Sequence, residues 1–225
     1  MPSLDEVIEL LKRKADPTQV AGMGRYGMST EQRLGVKVPE IRKLAKEIGK
    51  DHTLALVLWD SRLAEARILA GMLADPEALT EQQMEAWVVG IDSWDVCDQV
   101  CMNLFEKSPF ALQKIHEWSQ REEEFVKRAA FALIACLAWH DKGAGDAFFI
   151  DLLPVIQAGA DDGRNYVKKA VSWALRHIGK RNQSLNVQAI QAAEEIAQQG
   201  SRAARWVAAD VLRELTSEKV QARLK

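Results

Sequence analysis

Apolar residues recur three and four positions apart along almost the whole chain, and strict apolar–polar alternation is nearly absent. That periodicity places one face of a helix against a core and predicts an all-α protein. Helices are expected near 4–14, 39–48, 52–59, 61–74, 81–89, 94–106, 109–119, 123–140, 144–157, 165–180, 187–199 and 202–215. Their ends carry recognisable chemistry. Ser3 with Glu6 and Thr80 with Gln83 have the spacing of capping boxes. Pro39 and Pro109 sit where a first helical residue belongs, and Gly49 and Gly200 where helices stop. The short connections imply antiparallel neighbours.

The helices also repeat. Val126-Lys-Arg-Ala129 and Val167-Lys-Lys-Ala170 are 41 positions apart, and Leu175-Arg176 is matched by Leu212-Arg213 37 positions on. A helical period near ~40 residues is the mark of HEAT and armadillo arrays. The expected fold is therefore a HEAT/armadillo-like α-solenoid of antiparallel helix pairs, one domain over 1–225, with a concave groove made by one helix of each pair. An irregular bundle whose helices share only amphipathicity is the alternative.

Three helices carry residues that are out of place for a core. On 165–180, Val167, Val171, Ala174, Leu175 and Ile178 make an apolar face. The opposite face holds Tyr166, Lys169, Trp173, Arg176 and Lys180, so an indole sits within a cationic stripe. Such a stripe suits an anionic ligand with apolar surface, nucleic acid above all; sheltering of the ring by the long cationic stems is the plainer explanation. On 123–140, Val126, Ala130, Leu133 and Leu137 face the core while Arg128 points away. Ala132 and Ala135, flanked by Phe131 and Trp139, would give Arg128 a shallow floor for a phosphate; an ordinary solvated arginine is the simpler alternative. On 94–106, Trp94 and Asp98 share a face four residues apart. A partly desolvated carboxylate there either bonds a neighbouring helix end or meets a developing positive charge.

Composition narrows the class. Hydrophobic residues are 48% and charged residues 28%, as in ordinary globular proteins. The longest apolar run, Ala129 to Trp139, is too short for a bilayer span, and no export signal opens the chain, so a cytoplasmic protein is expected. Cys97, Cys101 and Cys136 suit a reducing compartment, and His52, His116, His140 and His177 are scattered, so no metal site is expected. The net charge of −2 and pI near 6.1 give no global attraction to nucleic acid; any such ligand must be held locally.

Taken in order, these segments resemble a known family. Ser93-Trp94-Asp95-Val96-Cys97-Asp98-Gln99-Val100 resembles the tryptophan-to-aspartate motif of AlkD-like DNA alkylation-repair glycosylases. Val126-Lys-Arg128-Ala, Lys169-Ala-Val-Ser-Trp173-Ala-Leu-Arg176 and the N-terminal stretch from Tyr26 through Gly35-Val-Lys-Val-Pro39-Glu-Ile-Arg42 are similar to further segments of that family. The resemblance implies a HEAT-like solenoid that grips duplex DNA and cuts the N-glycosidic bond of N3- and N7-alkylated purines, without cofactor or metal. It implies Asp98 as the catalytic carboxylate, Trp94 and Trp173 against the deoxyribose, Arg128 on a phosphate, and Tyr26 as a further contact. Lys169, Arg176 and Lys180 would line the DNA. The chemistry is consistent: a cationic purine leaves without a general acid, and one carboxylate can stabilise the oxocarbenium-like sugar. A monomer is expected. The family also contains relatives without glycosylase activity that bind unusual DNA structures, so a catalytically silent binder of branched or damaged DNA stays open. So does a protein-binding HEAT scaffold, which the acidic balance would suit.

Overall fold

The computed structural model describes residues 2–26, 28 and 30–224, and among them every regular element is helical. The chain forms two compact units, Met1–Phe110 and Ala111–Lys225.

The first unit contains α1 (Leu4–Lys12), α2 (Pro17–Met23), α3 (Val38–Ile48), α4 (His52–Asp60), α5 (Ala64–Leu73), α6 (Glu81–Val89) and α7 (Trp94–Asn103). Both expected capping boxes are formed, at Ser3–Glu6 and Thr80–Gln83. Pro39 lies in the first turn of α3, and Gly49 closes that helix at φ 81°. The unit is organised around α5, which packs on α1, α3, α4 and α7 and buries every residue from Ala64 to Gly71. Two of these are charged. Glu65 accepts from the backbone N–H groups of Leu34 (3.0 Å) and Gly35 (2.7 Å). Arg67 donates to the carbonyls of Trp59 (3.2 Å) and Gly90 (2.8 Å), and lies over the Trp59 ring, which stacks on Trp87. Each buried charge is thus offset by hydrogen bonds, which is the condition for keeping it there. Gly35 has φ +78°, and a Cβ there would lie 2.2 Å from the Asp16 carbonyl oxygen, so no other residue fits.

The second unit contains α8 (Ala111–Trp118), α9 (Glu124–His140), α10 (Asp146–Ile150), α11 (Leu153–Gly159), α12 (Asn165–Gly179), α13 (Gln183–Gln198), α14 (Arg202–Leu215) and α15 (Glu218–Leu224). Here the repeat is plain. Helices α9, α12 and α14 pack on one another in succession, and α8, α11 and α13 cover them pairwise. Polar side chains tie each repeat to the next at nearly the sequence period: Arg128 to the Tyr166 carbonyl, 38 residues on; Ser172 to Asp210, also 38; Gln199 to the Gln157 carbonyl, 42.

The expected elements need correction at several places, among them Pro109, which lies in a turn ahead of α8 rather than in its first turn. Helix α2, capped by Asp16, and helix α15 were not expected; both are short and bury little. The single helix expected over 144–157 is two, with Pro154 in the first turn of α11, where its missing N–H costs nothing. The helix expected to run to 106 stops at Asn103 and gives way to a 3₁₀ turn, Phe105–Lys107. Helix α13 starts at Gln183 rather than 187, because Asn182 accepts from the Leu185 N–H at 2.9 Å and caps a polar first turn.

Candidate nucleic-acid interface

In the first unit, three of the expected residues gather around the start of α7. Trp94 is its first residue, half-buried, and its indole N–H donates to the Tyr26 carbonyl at 3.3 Å. Asp98 lies one turn on along the same helix, also half-buried, while Val96, Cys97, Val100 and Cys101 turn fully inward. Tyr26 itself is 71% exposed. Sequence reasoning missed what fixes this helix start. Arg33, nearly inaccessible, holds Asp95 with both terminal nitrogens (2.6 and 2.7 Å) and donates to the Ser93 hydroxyl at 2.8 Å. Burial works against the Arg33 charge, but the Asp95 bonds outweigh it and raise the guanidinium's pKa. A carboxylate in a first helical turn is an ordinary sight, so only the 62-residue jump to Arg33 shows its role.

In the second unit the expectations fare differently. Trp173 is half-buried and meets His177 edge-on, with ring centroids 5.8 Å apart. Lys169, on the same helix, is exposed as expected. Arg176 and Lys180 are not free cations. Arg176 bonds Glu214 and sits 3.6 Å from Asp210, and Lys180 bonds Glu214 at 2.7 Å. The stripe expected on α12 is therefore half neutralised by α14, one repeat away. Burial opposes the Glu214 charge, but these two cations win and hold its carboxyl below the usual range. His177 is pushed the other way, down to about 4, by burial first and then by Lys180 and Arg176. It is a neutral imidazole at physiological pH.

Arg128 is a correction as well. It was expected to point away from the core over a floor of small residues. Instead it is 5% exposed and donates to the Tyr166 carbonyl at 2.6 Å, and Phe131, Ala132 and Ala135 are fully buried. The reason is that α12 packs on α9, and Arg128 reaches the Tyr166 carbonyl on α12 instead of open solvent. Among the described residues, no three His, Cys, Asp or Glu side chains are grouped as a metal ion requires. No helix there is long and apolar enough to cross a membrane.

Stacked helix pairs tied together at a period near 40 residues define a HEAT-like repeat protein. The fold is shared with a solved structure from a family described as related to the HEAT-like repeat DNA glycosylases, with affinity for branched DNA structures. The two chains are 18% identical and superpose with a TM-score of 0.78 over 95% of each. None of the curated proteins matches this chain in sequence. The model of the DNA alkylation repair enzyme family matches residues 7–215, and the chain belongs to that family.

Proposed function

We propose that this protein is a monofunctional DNA glycosylase that hydrolyses the N-glycosidic bond of cationic N3- and N7-alkylated purines in duplex DNA. The observation that carries this reading is the carboxylate of Asp98, half-buried one turn from Trp94 on a helix whose start is clamped by Arg33. An alkylated purine already bears a positive charge. As its bond to C1′ breaks, the bonding pair goes to the base, which leaves neutral, and positive charge develops on the sugar. Asp98 stabilises that charge and takes a proton from the water that adds to C1′, giving an abasic site. Trp94 lends an aromatic face to the cationic sugar, and Trp173 packs against the deoxyribose. Lys169 contacts phosphate, Tyr26 borders the site, and the protein works as a monomer in the cytoplasm. Arg128 acts through position: by holding the Tyr166 carbonyl it braces α12, the helix that carries Trp173.

A second reading has one observation behind it, the affinity for branched DNA described for the structurally similar family. In that reading the same residues grip DNA without chemistry. Incubation of the protein with duplex containing N7-methylguanine separates the two. The glycosylase releases the free base, and Asp98→Asn abolishes release while leaving DNA binding nearly unchanged. Tight binding with no release above background would leave the binder standing alone.

A further inference from the structure

The second unit has a cavity of about 640 Å³ at the C-terminal ends of α9 and α12, lined by residues with no part in the proposed chemistry. Its aromatic wall is Trp139, 47% exposed at the end of α9. The indole is backed by two imidazoles. His140 stacks on it with centroids 4.7 Å apart, and His177 meets it tilted at 5.6 Å. The His177 ring is held neutral by burial and by neighbouring cations, so it extends the aromatic surface without adding charge.

The rest of the lining is strongly cationic. Of its four cations Lys180 is already met by Glu214, but Lys142, Arg181 and Arg223 share the lining with a single carboxylate, Asp146, which already accepts from Asn182 at 2.7 Å. Arg181 spends its terminal nitrogens on the carbonyls of Ala138, Asp141 and Ala144, at 2.8 to 3.0 Å, and has no carboxylate partner among the described residues. Its Nε is buried without a hydrogen-bond partner. Lys142 and Arg223 are exposed and have no ion-pair partner among the described residues. In a chain with net charge −2, such a local excess marks a place for an anion.

A flat aromatic wall rimmed by unmatched cations fits a ligand that is aromatic and phosphorylated. The cavity volume suits one or two nucleotides rather than a duplex. The bases of an intact duplex are stacked on each other and cannot lie on an indole, so the occupant must be unpaired. We propose that this cavity receives an unpaired nucleotide of DNA, its base on Trp139 and its phosphates on Lys142 and Arg223. The site would let the protein hold a single-stranded arm or a displaced base beside the duplex. It rests on the DNA reading above but not on catalysis.

The test is fluorescence anisotropy with a blunt duplex and the same duplex carrying a single-stranded arm. The wild type is expected to bind the armed duplex more tightly. Trp139→Ala should weaken that complex about tenfold, the scale of one lost base-stacking contact, and change blunt-duplex binding less than about twofold. The double variant Lys142→Ala/Arg223→Ala keeps the indole and should lower the salt dependence of armed-duplex binding alone, by about two. Equal losses on both DNAs, or no loss on either, would overturn the inference. Wild-type preference for neither DNA would overturn it while leaving the DNA reading intact; absence of binding to both would overturn the DNA reading. Displacement of the armed duplex by dAMP at comparable affinity would assign the cavity to free nucleotides instead.

Discussion

Arg33→Met is the most informative perturbation of the first unit, because it removes the clamp while keeping the side chain's volume. Arg33 makes two bonds to Asp95 and one to Ser93, at 2.6 to 2.8 Å, with 3% of its side chain accessible and 17% of the Asp95 side chain. Removing one member of a buried pair strands the other charge and costs about 3–5 kcal/mol. The residual access of Asp95 to water puts this case at about 3 kcal/mol. For a chain of this length each kcal/mol moves Tm by about 2–4 °C, so the variant should melt about 6–12 °C below wild type. Circular dichroism melts and urea titrations read the loss directly. Arg33→Met/Asp95→Leu should recover most of it, because two apolar groups leave no stranded charge. A single variant within about 1 kcal/mol of wild type would refute the clamp. So would a double variant as unstable as the single one.

Three further outcomes are expected. His177 should titrate by NMR with a midpoint near 4. Because this value lies below the ordinary one, the unfolded chain takes up the proton first, and stability falls as pH drops from about 6.5 toward the folded value. His177→Gln should flatten that part of the profile; a midpoint above 6 would contradict the burial seen here. Lys169→Ala should reduce the salt dependence of duplex binding by about one, whereas Arg176→Ala, whose charge is already met by Glu214 and Asp210, should reduce it less. Equal slopes for the two variants would restore the fully cationic stripe. Gly35→Ala should destabilise by about 1–3 kcal/mol or more, since its Cβ meets the Asp16 carbonyl oxygen and its φ is positive. A neutral effect in chemical denaturation would contradict the close approach of Gly35 to the Asp16 carbonyl.

The helical nature of the chain, most of its helix starts and its period were legible because each is a local property of spacing. Val126 and Val167 repeat their neighbours in sequence as α9 and α12 repeat in space. What failed to show was where charges go once helices pack. Arg128, Arg176 and Lys180 stand opposite the apolar face on a helical wheel, and a wheel assumes a single buried face. In a stacked array each helix is covered on two or more sides. Arg128 is therefore enclosed between repeats, and the other two meet carboxylates on α14. The same blindness hid Glu65 and Arg67, which look like solvated residues and are buried. It hid Arg33 as well, because its partners lie 60 and 62 residues away. Trp94 and Asp98 were legible because both sit on one turn of one helix.

The most direct trial of the catalytic claim is a time course of free N7-methylguanine released from alkylated duplex by the wild-type protein and by Asp98→Asn. Wild-type turnover with a loss of about 10²–10³ in rate or more for the variant is predicted from removal of the charge-stabilising carboxylate. Equal rates for the two proteins would remove Asp98 from the chemistry, and silence from both would remove the chemistry itself.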